Sequence, residues 1–376
     1  MAVVKQEIWD HEFRLHEGRP DPLYQNMMMC RDKSWMAVSK GRLSRKELLC
    51  ACLHDLLPGL VEDPQGRYLS MELSDWAEHG LYEYRFFEGS FEEKMAFMAQ
   101  LLEQGEPVFV GTIHPLLPFS ARFDPAIDRS SYTQPNHIFV ILGEEEGRYV
   151  YFDTSSIKSE AFVPYPNNSE LGWIEKEVVD EVLAQLFQLS YLEWHPEKKE
   201  QLAEYGRKIL HEYGELYGKT EGMPWQNECG TEKENCLEGT WYWGRRAIEG
   251  LQRHLASEKL DLSLPSWEFE FIDQGDLMNW KLTDLATRRT IMAWWLEEQK
   301  DLGESLKVKK DGVVPAALSD LAQLWRESAQ AWNRLSTFVL YRRQRQKYGT
   351  HPRFGEILDQ ILEIEDKIYS LFKNFA

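Results

Sequence analysis

A cysteine, a histidine and an aspartate in suitable surroundings make a nucleophilic triad, and Cys30, His137 and Asp153 are the members this chain offers. A thiolate attacks carbonyl carbon well at neutral pH, an imidazole holds the displaced proton, and a carboxylate fixes the tautomer and aim of the imidazole. His137 opens and Asp153 closes a pair of β-rich runs joined by a short acidic turn ending in Gly147, which is a hairpin signal. Pairing symmetric about Glu145 would set the two residues opposite each other, with Cβ atoms roughly 5 Å apart. A one-residue bulge would turn them to opposite faces. Cys30 starts the segment 30–40, which reads as a helix with Trp35 and Val38 on one face. The first turn of a helix carries partial positive charge, so it favours a thiolate and can steady an oxyanion. Gln25 and Asn26, just upstream, can add a side-chain amide to an oxyanion hole. Between residues 31 and 46, Arg31, Lys33, Lys40, Arg42, Arg45 and Lys46 are opposed only by Asp32, which also favours an ionised sulfur. The competing reading of Cys30 is a small buried hydrophobe behind three methionines, with Cys50 or Cys52 as the nucleophile instead.

The elements that must bring these residues together belong to a chain of 376 residues, long enough for two domains. Its 43 basic and 62 acidic residues give a net charge of -19, which opposes binding to nucleic acid and to anionic membrane and suits a cationic small molecule. No apolar run is long enough to span a bilayer, and the first residues lead into charge, so a cytoplasmic protein is expected. An odd number of cysteines, Cys30, Cys50, Cys52, Cys229 and Cys236, reads as free thiols, with no spacing that calls for a metal.

A second helix is expected from Ser44, with Glu47 completing a capping box, to about Leu57; Ser90 and Glu93 cap a third that stops at Gly105. Residues 107–113 read as a buried strand. The 23 residues from His114 to Asn136 hold four prolines and no periodicity, the mark of a binding loop. This loop leads into His137, so His114, Asp124 and Asp128 are candidate substrate contacts. Beyond Asp153, a helix is expected through Val178, Val182, Leu183, Leu186 and Leu189, and most of the remainder reads as helix, with a short strand at 267–272. The basic run 342–347 reads as a solvated helix end or a docking patch for an acidic partner.

The segment from Val108 to Asp153, with Thr112-Ile113-His114-Pro115-Leu116-Leu117-Pro118-Phe119, Asn136-His137-Ile138-Phe139 and Tyr151-Phe152-Asp153, resembles the butirosin biosynthesis protein H family. The same hairpin occurs in bacteriocin-processing cysteine peptidases. The part with Gly244-Arg245-Arg246-Ala247 and the helices ending in Glu363-Ile364-Glu365 is similar to the helical domain that follows in the butirosin family and not in the peptidases. The sequence departs from the family's pattern at Arg31, Asp32 and Lys33, where small residues usually follow the cysteine, and at Thr154, where proline is common.

The resemblance implies an α+β, papain-like cysteine protease fold over 1–165, followed by a mainly helical domain over 166–376. It implies an acyltransferase of natural-product biosynthesis in which Cys30 is nucleophile, His137 base and Asp153 orienter. The donor would be the phosphopantetheine thioester of an acyl or peptidyl carrier protein and the acceptor an amine-bearing small molecule, with no directly bound cofactor. The alternatives are a cysteine hydrolase, peptidase or thioesterase on the same triad and a non-catalytic scaffold.

Overall fold

A computed structural model describes residues 15–16, 19–20, 30–73, 80–128, 135–154, 156, 159–166, 168–185, 187–226, 237–256, 260–266, 272–298 and 316–373. In chain order these form a small ribbon, β1 (Leu15–His16) and β2 (Arg19–Pro20), then helices α1 (Cys30–Lys40) and α2 (Arg45–Ala51). Strands β3 (Pro58–Glu62), β4 (Tyr68–Leu73) and β5 (Tyr82–Phe87) precede helix α3 (Phe91–Glu103) and strand β6 (Val108–Thr112). The hairpin β7 (His137–Glu145) and β8 (Arg148–Phe152) follows, then β9 (Pro164–Tyr165), β10 (Asn168–Glu175), helix α4 (Lys176–Leu183) and β11 (Gln188–Trp194). Helix α5 (Leu202–Tyr217), strands β12 (Met223–Gln226) and β13 (Glu238–Trp243), and helices α6 (Gly244–Ala256), α7 (Gln274–Glu298), α8 (Ala316–Gln344) and α9 (Pro352–Lys373) come last. The class is α+β with antiparallel sheets.

The chain divides into two compact units, Met1–Leu48 with His79–Glu200, and Leu49–Glu78 with Gln201–Ala376. The first is built on a seven-stranded antiparallel sheet in the order β5-β11-β6-β7-β8-β10-β9. Helix α3 starts at a complete capping box: the Glu93 N–H donates to Ser90 Oγ and the Ser90 N–H donates to Glu93 Oε2. It lays Met98, Leu101 and Leu102 on Val110, Phe139, Ile141 and Tyr151 of the sheet. Phe119 stacks on Tyr151 with ring centroids 4.2 Å apart. Full burial of each large apolar side chain contributes about 1.5–3 kcal/mol, and this core fixes the strands that carry the site.

Helix α1 packs against β7. Its Trp35, Met36, Ala37 and Val38 are all buried, so it is enclosed on most sides and shows no amphipathic stripe.

The second unit pairs a four-stranded antiparallel sheet, in the order β12-β13-β3-β4, with helices α5 to α9. Helix α6 lies so close on β3 that a Cβ at Gly250 would fall 2.1 Å from Leu60 Cδ2, which explains glycine there. Helices α7 and α8 pack along each other around Trp295, Trp325 and Trp332, all buried.

Several expectations change here. The expected division at residue 165 falls inside the first unit: β10 pairs with β8, and β11 lies between β5 and β6, so the sheet continues to Trp194. Conversely β3 and β4 pair into the sheet of the second unit through β13, which lies some 180 residues downstream. The second unit is therefore not wholly helical. Helix α2 ends at Ala51, not near Leu57, because the chain turns and Asp55 takes a left-handed φ of 54° before β3. The helix expected to run through Leu189 stops at Leu183, and Leu189 is a strand residue buried between β5 and β6. The strand expected at 267–272 falls outside the described residues except for Ile272.

Candidate active site

The geometry of the site begins with a turn. Glu146 and Gly147 both take left-handed φ angles, 52° and 77°, which is the two-residue hairpin turn whose twist matches its strands. It pairs Glu145 with Arg148, Glu144 with Tyr149 and Gly143 with Val150. Carried on unchanged, that register would set Asp153 across from Val140, on the face opposite His137. A bulge between Ile141 and Gly143 takes up one residue, and beyond it Ile141 pairs with Tyr151 and Val140 with Phe152. One further step sets Asp153 across from Phe139, on the same face as His137 and diagonal to it. The pairing is thus not symmetric about Glu145, and the bulge brings the two side chains together.

His137 and Asp153 meet with 2.5 Å between Nε2 and Oδ2, the histidine 5% exposed and the aspartate fully buried. Ser156, also buried, donates from Oγ to the Asp153 carbonyl at 3.3 Å and pins the chain just after the strand. With Nε2 given to the carboxylate, the His137 side chain also hydrogen-bonds the Cys30 sulfur, which accepts from the Ile138 backbone N–H as well. Cys30 is the first residue of α1 and is partly open to solvent.

The electrostatics follow from this contact. Burial raises the Cys30 pKa and Asp153 adds to the rise, but the hydrogen bond and charge of His137 and the Ile138 N–H outweigh them, so the thiol sits below its ordinary value. Burial pushes His137 down, but the Asp153 carboxylate and the Cys30 sulfur carry it up to about 10. Both shifts favour a thiolate facing an imidazolium over a neutral thiol facing a neutral imidazole.

His114 lies at the start of a short 3-10 turn after β6 and stacks on His137, with centroids 3.8 Å apart and planes tilted by 31°. The Asn136 side-chain carbonyl accepts from the His114 N–H at 3.0 Å and holds the turn. Burial and the neighbouring His137 charge lower His114 to about 4, so it faces the imidazolium uncharged.

His114, His137 and Asp153 each bring one potential ligand atom within 4.8 Å of the others. Two donors on one metal at about 2.0–2.2 Å stand farther apart than the 2.5 Å between His137 and Asp153. The arrangement suits a shared proton better than a metal.

The fates of the other candidates differ. Cys50 and Cys52 are buried in the second unit, and Cys50 donates to the Leu202 carbonyl at 2.8 Å, so neither stands as the nucleophile beside His137. Asp124 is exposed and caps a turn by accepting the Ala126 N–H, and Asp128 is exposed. Gln25, Asn26, Cys229 and Cys236 lie outside the described residues. The basic runs are largely engaged within the chain. Arg42 pairs with Glu106 at 3.1 Å and covers Trp194, Arg343 bonds Asp273 and Asp276, and Arg345 covers Tyr341.

What sequence reasoning missed is the contact of His114 with His137; the pairing of Thr112 with His137 across β6 and β7 creates it, and no spacing in the chain signals that pairing. No helix among the described residues is long and apolar enough to cross a membrane. No protein-family model matches the chain, and no curated protein is significantly similar to it.

Proposed function

We propose that the chain is a cysteine acyltransferase that takes an acyl group from a thioester onto Cys30 and passes it to an amine. The observation that carries this reading is the contact of the Cys30 sulfur with a His137 side chain that is itself anchored on the buried Asp153 carboxylate. A cysteine at a helix start, facing a histidine and an acid on neighbouring strands of an antiparallel sheet, also supports a papain-like arrangement for the first unit. The family resemblance of residues 108–153 points to a carrier-protein phosphopantetheine thioester as donor, and the net charge of -19 suits a cationic amine as acceptor.

In this reading the Cys30 thiolate attacks the thioester carbonyl, and the oxyanion that forms is steadied at the N-terminal end of α1. The carbon–sulfur bond to the donor breaks, and the departing thiolate takes the proton from His137. A neutral amine then attacks the acyl-enzyme, His137 removes a proton from its nitrogen, and the bond to Cys30 breaks. This releases the amide and restores the thiolate–imidazolium pair.

Incubation with the acyl thioester of N-acetylcysteamine, a small pantetheine mimic, should add the mass of one acyl group to the intact chain. Cys30→Ala should abolish the gain. Added amine should then discharge the adduct as amide; discharge only as free acid would make the chain a hydrolase, and no adduct at all would contradict both.

A further inference from the structure

At the far end of the same hairpin lies a second recess. Between α3 and the strand ends a cleft of about 410 Å³ is walled on one side by Phe91, Met95, Met98 and Leu102, and on the other by Glu144, Tyr149, Lys176 and Asp180. Glu144 is seven residues from His137, roughly 20 Å along an extended strand, so this is not the Cys30 site. The bulge after Ile141 also turns Glu144 toward α3, since Glu144 pairs with Tyr149, which faces the same side as Tyr151.

The polar wall is unevenly satisfied. Lys176 bonds Glu144 at 2.8 Å and lies over the Tyr149 ring, which uses the cation. The Tyr149 hydroxyl donates to Asp180 Oδ1 at 3.0 Å. Asp180 Oδ2 receives no hydrogen bond, and Asp180 has no ion-pair partner, among the described residues. Partial burial, with Glu144 and the exposed Glu177 nearby, raises the Asp180 carboxyl above its ordinary value despite Tyr149 and Lys176. An apolar wall thus faces a carboxylate that is crowded by like charge, while the nearby Lys176 bonds Glu144 rather than Asp180.

We propose that this cleft binds a small amphipathic cation, an ammonium group on an apolar body, with the ammonium at Asp180 Oδ2 and the body against Phe91, Met95 and Met98. The methionines suit such a ligand because their unbranched, polarisable side chains adapt to its shape. The ammonium adds a charge-assisted hydrogen bond at Oδ2 to the one Tyr149 already gives Oδ1. Binding strengthens as pH rises through the raised Asp180 range, because only the ionised carboxylate attracts the cation. Glu144, Glu177, Lys176 and Tyr149 are the other titratable groups in or beside the cleft. The site does not depend on the acyltransfer reading.

Calorimetric titration of the full chain with benzylammonium chloride, and with benzyl alcohol as its neutral counterpart, tests this. The ammonium should bind at least about tenfold more tightly than the alcohol. Asp180→Asn should remove that preference, and Ala99→Trp, at an exposed position on the lip of the cleft, should block both ligands without touching Asp180. Equal affinity for the two ligands would overturn the proposal. So would ammonium binding that survives both substitutions, which would place the amine elsewhere on the chain.

Discussion

The two units each bury an ionic group, and they complete it differently. In the helical unit Arg289 and Glu365 are both fully buried. Glu365 Oε1 accepts from Arg289 Nε at 2.8 Å, from Ser328 Oγ at 2.5 Å and from Trp332 Nε1 at 2.9 Å, while Oε2 accepts from the Tyr213 hydroxyl at 2.6 Å. Burial would raise the carboxyl, but Arg289 and these donors hold it below its ordinary value. The remaining Arg289 nitrogens have no hydrogen-bond partner among the described residues, and the guanidinium lies 5.6 and 5.3 Å from the ring centroids of Trp325 and Trp332. No part of this group meets solvent. In the sheet unit, Asp153 and His137 are enclosed in the same way, but their chain of bonds ends on Cys30, a residue that keeps some exposure. A buried charge whose partners are all enclosed with it sets packing; one whose last partner is a nucleophile on a part-exposed residue is poised for chemistry.

If that contrast holds, Glu365→Ala should produce the largest change in stability and none in reactivity. It strands Arg289 in the core and should cost about 3–5 kcal/mol in denaturant unfolding, while the pH profile of Cys30 alkylation stays that of the parent chain. A Cys30 profile that moved with Glu365 would break the distinction. Asp153→Asn should show the opposite balance, with a modest loss of stability and a loss of acyl-adduct formation of roughly a hundredfold, measured as the single-turnover rate. The amide no longer supplies the charge that holds the proton on His137, and Cys30 should titrate nearer the ordinary thiol range.

Stability should follow the same proton. His137 binds it up to about 10 in the folded chain and near 6.5 when unfolded, so the contribution is fully present below about 6.5 and fades as pH rises toward 10. The smallest effect concerns His114. Its ring signals should titrate by NMR at about 4, leaving it uncharged across the neutral range; a midpoint near the ordinary histidine value would mean that His137 is not the charged neighbour described here.

Much of the site could be read from the chain, and the reasons for the gaps are physical. His137 and Asp153 stand at the ends of a hairpin marked by its turn residues, and Cys30 opens a helix in a basic stretch. The bulge that makes the hairpin work was invisible, because Phe139, Val140, Ile141 and Leu142 are all buried and a strand covered on both faces shows no alternation to betray a shift of register. The same cause hid β11, whose Leu189 continued the helical spacing of α4. The division into units was misplaced because β3 and β4 find their partner in β13, and such distant pairing leaves no local trace. In the second unit the apolar stripes of α5, α6 and α9 made those helices the most legible part.

Above all, His137 should favour the ionised form of the Cys30 sulfur. This is tested most directly by the rate of Cys30 alkylation by iodoacetamide against pH, followed by peptide mass so that the other thiols do not interfere, in the parent chain and in His137→Ala. The parent's rate should rise at a lower pH than the variant's, which should follow an ordinary thiol midpoint of about 8.5. Superimposable curves, both rising near that ordinary value, would show that no thiolate–imidazolium pair exists and would contradict the account.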